Sequence, residues 1–84
     1  MANLLYFASL RETLDSAKEQ LDLPETVTNV AELKGMLSDR SAIWKASFSS
    51  DTSLLVSVNQ KMANDQTEIN NADEIAFFPP VTGG

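Results

Sequence analysis

The sequence of 84 residues contains neither cysteine nor histidine. Without cysteine there is no disulfide and no thiolate nucleophile, and without histidine the usual general base at neutral pH is missing; together the two absences remove the common zinc sites. A chain with this inventory is poorly equipped to be an enzyme on its own. It also lacks any stretch near the roughly 20 apolar residues of a membrane span. Its opening, MANLLYFASLRET, has no basic segment followed by a long apolar run, so a cytoplasmic protein without a membrane partner is expected. Cations are scarce, with 6 Lys and Arg against 12 Asp and Glu and a net charge of −6. That balance repels phosphate backbones and argues against a nucleic-acid partner, and it suits a basic protein surface, although charge of this size also serves solubility alone.

What is present is ordinary globular usage, 43% hydrophobic and 21% charged. A chain of this length supports one domain, burying about 60 to 65% of its unfolded surface. NLLYFAS reads as a first strand. Ser9 and Glu12 then form the S-x-x-E pattern of a capping box, and Leu10, Leu14 and Ala17 at helical spacing predict a helix over about residues 10–18. EQLDLPETV alternates polar and apolar residues, and Pro24 suits an edge strand. Asn29 offers an N-cap with Glu32 three positions on, and Val30, Leu33 and Leu37 make the apolar stripe of a second helix reaching about Arg40. SAIWKASF is ambiguous, its Ile43, Trp44 and Phe48 able to close a short helix over the domain, and SSDTS after it is a polar loop. In LLVSVNQ, Leu54, Val56 and Val58 line one face of a strand, and Asn59-Gln60 turns into a short KMA strand. NDQTEINNA is a turn-rich connection before the last strand, DEIAFFP, which Pro79 and Pro80 terminate.

In this order of elements the helices pack on one face of a mixed sheet, which calls for strands apolar on one side only. The first and last strands break that rule. Leu4, Tyr6, Ile75 and Phe77 point one way, and Leu5, Phe7 and Phe78 the other. If the former meet the helices, the latter lie on the open face with Met62 and form a patch of partner size, unless the third helical segment or the long loop covers it.

Two of the three glycines, Gly83 and Gly84, stand last. They cannot pack or finish a sheet, but they leave the α-carboxylate unhindered and let the tail thread a narrow cleft. That carboxylate, with an ordinary pKa near about 3.3 to 3.7, is ionised at neutral pH and can attack the α-phosphate of ATP in another protein's site to give an acyl-adenylate. A frayed terminus is the plain reading of Gly-Gly alone. The proline pair that projects the tail, the patch near its root and the β-grasp-like order of elements together describe a ubiquitin-like carrier.

DEIAFFPPVTGG, FASLRE and LLVSVNQ carry a nearly end-to-end resemblance to the small, sulfur-carrying subunits of molybdopterin synthase. The resemblance implies an α+β, ubiquitin-like β-grasp domain over residues 1–80, with a mixed sheet, helices on one face and an extended tail over residues 81–84. It implies that Gly84 is adenylated by an activating enzyme similar to those for ubiquitin, which uses ATP, and is then converted to a thiocarboxylate, with Gly83 clearing the approach. The sulfur would pass to cyclic pyranopterin monophosphate in the active site of a large subunit, within a heterotetramer of two small and two large chains. The small chain would be a non-catalytic donor with no cofactor or metal of its own. Matched residue by residue, the partner contacts fall on Phe7, Arg11, Met62 and Phe78 and along the tail through Pro79, Pro80, Val81 and Thr82. The family often has a glycine in the turn before its last strand; here NNADE stands instead, and a left-handed Asn70 or Asn71 is expected to supply the turn. Three other readings compete: a modifier joined through Gly84 to lysines of other proteins, a thiamine-pathway sulfur carrier, and an interaction domain with an inert tail. FFPPVTGG and the extra helical segment around Trp44 favour the molybdopterin branch over the thiamine one.

Overall fold

In the computed structural model, which describes residues 1–48 and 54–79, the chain runs β1 (Ala2–Tyr6), α1 (Ala8–Leu14), β2 (Lys18–Leu21), α2 (Val30–Ser38), α3 (Ala42–Phe48), β3 (Leu55–Val58), β4 (Lys61–Ala63) and β5 (Glu74–Phe78). The strands form one sheet in the order β2-β1-β5-β3-β4. The first and last strands lie parallel at its centre and the other pairings are antiparallel. This is the mixed sheet expected of a β-grasp, with β2 at an edge as expected, although it spans only Lys18–Leu21 and ends before Leu23 and Pro24. The loop SSDTS, and with it Pro80 and the tail from residue 81, falls outside the described residues.

The helices cover one face because that is where the strands place their largest apolar side chains. Leu4, Tyr6, Ile75 and Phe77 are fully buried under Val30, Leu33 and Leu37 of α2 and Leu10 and Leu14 of α1. Burying one such side chain contributes about 1.5 to 3 kcal/mol. The ambiguous segment SAIWKASF is a helix, and it joins this same face. Phe48 meets Phe77 edge-on at 5.1 Å, Trp44 meets Tyr6 edge-on at 5.5 Å, and Tyr6 stacks on Phe77 at 6.1 Å. Ile43, by contrast, points outward and is 56% exposed. The Tyr6 hydroxyl, buried among these rings, donates to Glu19 at 2.6 Å, and Glu19 is held by Arg40 at 2.7 Å, whose guanidinium lies over Trp44. Burial, reinforced by the bond to Glu19, pushes the Tyr6 phenol well above its usual range, so it stays a neutral donor.

The caps follow sequence at one helix and depart from it at another. Asn29 accepts the Glu32 amide at 2.8 Å as expected. The Glu32 carboxylate reaches back to the Thr28 hydroxyl at 2.7 Å and amide at 2.9 Å, bonds that lower its pKa. At α1 the capping box does not form. The helix starts at Ala8 with Phe7 as N-cap and no side-chain cap, so Ser9 is already inside the first turn. The cause is tertiary: the Phe7 amide is held by the Phe77 carbonyl at 3.2 Å, and the chain turns into the helix one residue later. The helix also ends earlier than the predicted residue 18. Asp15 takes a left-handed conformation that terminates it, and the Ala17 carbonyl already accepts the Tyr6 amide, so Ala17 is off the helical stripe.

Two turns show the same contrast. Asn59 and Gln60 both have positive φ and make the expected two-residue hairpin between β3 and β4. Neither Asn70 nor Asn71 is left-handed, correcting the expectation for the turn before β5. Side chains close it instead: the Asn70 oxygen accepts the Ala72 amide at 2.8 Å and an Asp73 oxygen accepts the Asn70 amide at 2.9 Å, while Asn71 reaches away to accept the Leu23 amide at 2.8 Å.

Gly35 lies exposed on α2, and a Cβ built there would meet no atom within 4 Å. Gly35→Ala is therefore expected to stabilise the domain by about 1 kcal/mol, seen in a thermal melt as a rise on the order of 4 to 8 °C.

Candidate functional site

On the sheet face away from the helices, strand register lines up three rows of side chains. Gln20, Asn3 and Glu74 form a polar row. Next to it run Lys18, Leu5, Ala76, Ser57 and Met62, and beyond them Phe78 lies opposite Leu55. Phe7, the first residue after β1, completes the last row by stacking on Phe78, with ring centroids 4.9 Å apart and planes 6° from parallel. Ala76 and Ser57 are small and sit low between larger neighbours. Polarity thus falls from the row containing Glu74 to the row containing Phe78, the end from which the chain passes to Pro79.

Exposure separates this face from the core. Phe7 is 41% exposed, Leu55 41% and Met62 69%, whereas Phe77, adjacent to Phe78 in sequence, is fully buried. Trp44 and Phe48 of α3 pack on the opposite side, against Tyr6 and Phe77, so no described helix covers the patch. The polar end carries a depression of about 490 Å³ lined by Asn3, Leu5, Lys18, Gln20 and Glu74.

Of the residues expected at a partner surface, the structure brings Phe7, Phe78 and Met62 onto one face and places half-buried Pro79 at its margin. Arg11 stands one helical turn beyond Phe7, exposed, its amide donating to the Phe7 carbonyl at 3.4 Å. No hydrogen bond, ion pair or ring contact engages its guanidinium among the described residues. Pro80, Val81, Thr82, Gly83 and Gly84 lie outside them. Leu55 also belongs to this face, beyond the residues expected there. Alternation along LLVSV carries the signal, because it puts Leu55 opposite to Val56. Among the described residues no group of three His, Cys, Asp or Glu side chains could hold a metal ion, and no helix is long and apolar enough to cross a membrane.

Residues 4–84 match the family model described as ThiS. The chain belongs to the ThiS family. Two curated relatives, both called molybdopterin synthase sulfur carrier subunit, align over the whole of each chain: one from Haemophilus influenzae at 33% identity over 84 residues and one from Escherichia coli at 37% over 86. Among solved structures, SAMP1 from Haloferax volcanii, a small archaeal modifier protein, superposes with a TM-score of 0.78 at 25% identity, covering 99% of this chain and 98% of that one. The β-grasp expected for a ThiS-family chain is therefore found both in its own topology and in its likeness to solved structures.

The two faces of this ThiS-family sheet predict unequal costs for adjacent aromatic truncations. Phe77→Ala empties the core and should cost about 3 to 5 kcal/mol. Phe7→Ala loses one ring pair, about 0.5 to 1.5 kcal/mol, together with the burial of a side chain that is already 41% exposed, and should cost less than Phe77→Ala. Chemical denaturation of both variants measures the difference.

Proposed function

We propose that this chain is the sulfur-carrying small subunit of a molybdopterin synthase, donating sulfur from a thiocarboxylate on Gly84. The observation that carries the reading is the placement of the apolar rows: they lie at the end of the sheet from which Phe78 hands the chain to Pro79 and the Gly-Gly tail. A partner that docks on Phe7, Leu55, Met62 and Phe78 holds the tail's root and can take the terminus into its own cleft. Full-length similarity to two sulfur carrier subunits supports the same reading.

In this scheme the chain docks and presents, and other proteins catalyse. The Gly84 carboxylate attacks the α-phosphate of ATP bound to a ubiquitin-activating-like adenylyltransferase, releasing pyrophosphate and leaving an acyl-adenylate. A hydrosulfide equivalent attacks the acyl carbon, displaces AMP and loses its proton, giving the thiocarboxylate. The large subunit, in an assembly of two small and two large chains, then receives the tail, with Arg11 at the edge of the contact and Pro79, Pro80, Val81 and Thr82 along the cleft. There, in the cytoplasm, the sulfur bonds to a carbon of cyclic pyranopterin monophosphate and water cleaves its bond to the Gly84 acyl carbon, returning the carboxylate. Gly83 keeps the approach free of side chains. The chain itself binds neither cofactor nor metal, and neither nucleic acid nor membrane is a partner.

The likeness to a small archaeal modifier protein favours a second reading, conjugation of Gly84 to lysines of other proteins. Intact mass after activation separates the two, since sulfur loading exchanges one oxygen for sulfur whereas conjugation gives much heavier adducts. A thiamine-pathway carrier would load sulfur in the same way and fail to support molybdopterin formation.

One residue added after Gly84 moves the reactive carboxylate by about 3.3 to 3.6 Å, and misplacement of about 1 Å can cost around a hundredfold in rate. Molybdopterin formation by the two mixed subunits is expected to be abolished in such a variant while its thermal melt is unchanged. Full product formation by the extended chain would remove Gly84 from the mechanism.

A further inference from the structure

Four non-glycine residues have positive φ among the described residues: Ala8, Asp15, Asn59 and Gln60. Three of them occupy positions where a left-handed backbone is customary, Asp15 at a helix C-cap and Asn59 and Gln60 in a two-residue hairpin. Ala8, with φ 54°, has neither setting. It carries a Cβ that crowds the following carbonyl in this conformation, and no polar side chain to compensate.

The surroundings of Ala8 show why the conformation is held. Phe7 is extended, with φ −116° and ψ 156°, and its amide makes the last bond of β1 to β5, donating to the Phe77 carbonyl at 3.2 Å. Its own carbonyl accepts the amides of Leu10 at 3.2 Å and Arg11 at 3.4 Å. Phe7 is therefore both the last rung of the strand and the cap of α1. Its ring must lie on the open face against Phe78, while Leu10, three residues on, must lie in the core on the opposite face. A single residue carries the chain from one side to the other. We infer that Ala8 is a positioning residue whose left-handed backbone aims the Phe7 ring onto Phe78 and so sets the docking surface; the docking part of this inference rests on the function proposed above.

Substitutions at this position sort by their tolerance of positive φ. Glycine and asparagine adopt it readily, whereas valine, branched at Cβ, resists it most and leucine less severely. The test uses the full chain with Ala8→Gly, Ala8→Asn, Ala8→Leu and Ala8→Val, and reads proton–proton contacts between the rings of Phe7 and Phe78 by NMR. Contacts between Tyr6 and Phe77 serve as the internal standard for the core. Gly and Asn variants should keep both sets of contacts. Leu and Val variants should lose the Phe7–Phe78 contacts while keeping the Tyr6–Phe77 contacts, and per folded molecule should bind the purified large subunit about tenfold or more weakly, that is about 1.4 kcal/mol. If Val fails to fold, Leu carries the same comparison. Retention of the Phe7–Phe78 contacts in a folded Leu or Val variant would overturn the positioning role, as would their loss from the Gly and Asn variants. A wild-type chain that does not bind the large subunit would overturn the docking role, and the proposed function with it, leaving the ring contacts of the free chain to decide the positioning role by themselves.

Discussion

The parallel pairing of β1 with β5, from Asn3 opposite Glu74 to Tyr6 opposite Phe77, is the contact on which the other elements depend. It joins the two ends of the described chain at the centre of the sheet. Because partners in register share a face, it sets Leu4 beside Ile75 and Tyr6 beside Phe77, and these four fully buried residues form the floor on which all three helices rest. The same pairing fixes the Phe7 amide on the Phe77 carbonyl, which decides where α1 begins. Such a contact has high sequence separation, so its loop-closure cost is met by the burial it brings.

Parity makes this one contact produce two different surfaces. A strand buried on one side only would leave a polar outer face, but β1 and β5 keep apolar residues on both sides, and among the described residues no helix covers the second set. Leu5, Ala76 and the stacked pair of Phe7 and Phe78 are the open-face counterparts of the core residues beside them. The hairpin of β3 and β4 widens this surface through Leu55 and Met62. Asn59 pins that hairpin to the centre, accepting the Glu74 amide at 3.0 Å and donating to Asp73 at 2.9 Å. The open face of β1, β3 and β5 is thus the reverse side of the strands that carry the core, and Phe7, just beyond β1, joins it at the turn into α1.

How much of this can be read from sequence depends on whether a feature is local. The Asn29 cap, the stripe of Val30, Leu33 and Leu37 and the Asn59-Gln60 turn are set by neighbours in the chain, and they form as their spacing predicts. Alternation also separates the core face from the open face in β1 and β5. The pattern fails where a distant strand intervenes. Ser9 and Glu12 have the right spacing for a cap, but the pairing of Phe7 with β5 starts the helix upstream of them. The turn before β5 is another such case, because Asn70 bonds within the turn while Asn71 is drawn to Leu23 in the distant loop after β2. SAIWKASF was ambiguous because its inward face shows only in the tertiary structure, where Trp44 and Phe48 meet Tyr6 and Phe77 and Ile43 does not.

If a large subunit docks as proposed, it covers the open side of the sheet and leaves the helical side free. Hydrogen exchange of backbone amides, followed for the free chain and for the chain saturated with the large subunit, tests it directly. Added protection is expected to be confined to β3, β4, the end of β5 and the junction of Phe7 with α1, with α2 and α3 exchanging as they do in the free domain. Protection centred on α2 and α3, with the hairpin and the Phe7 junction unchanged, would contradict it.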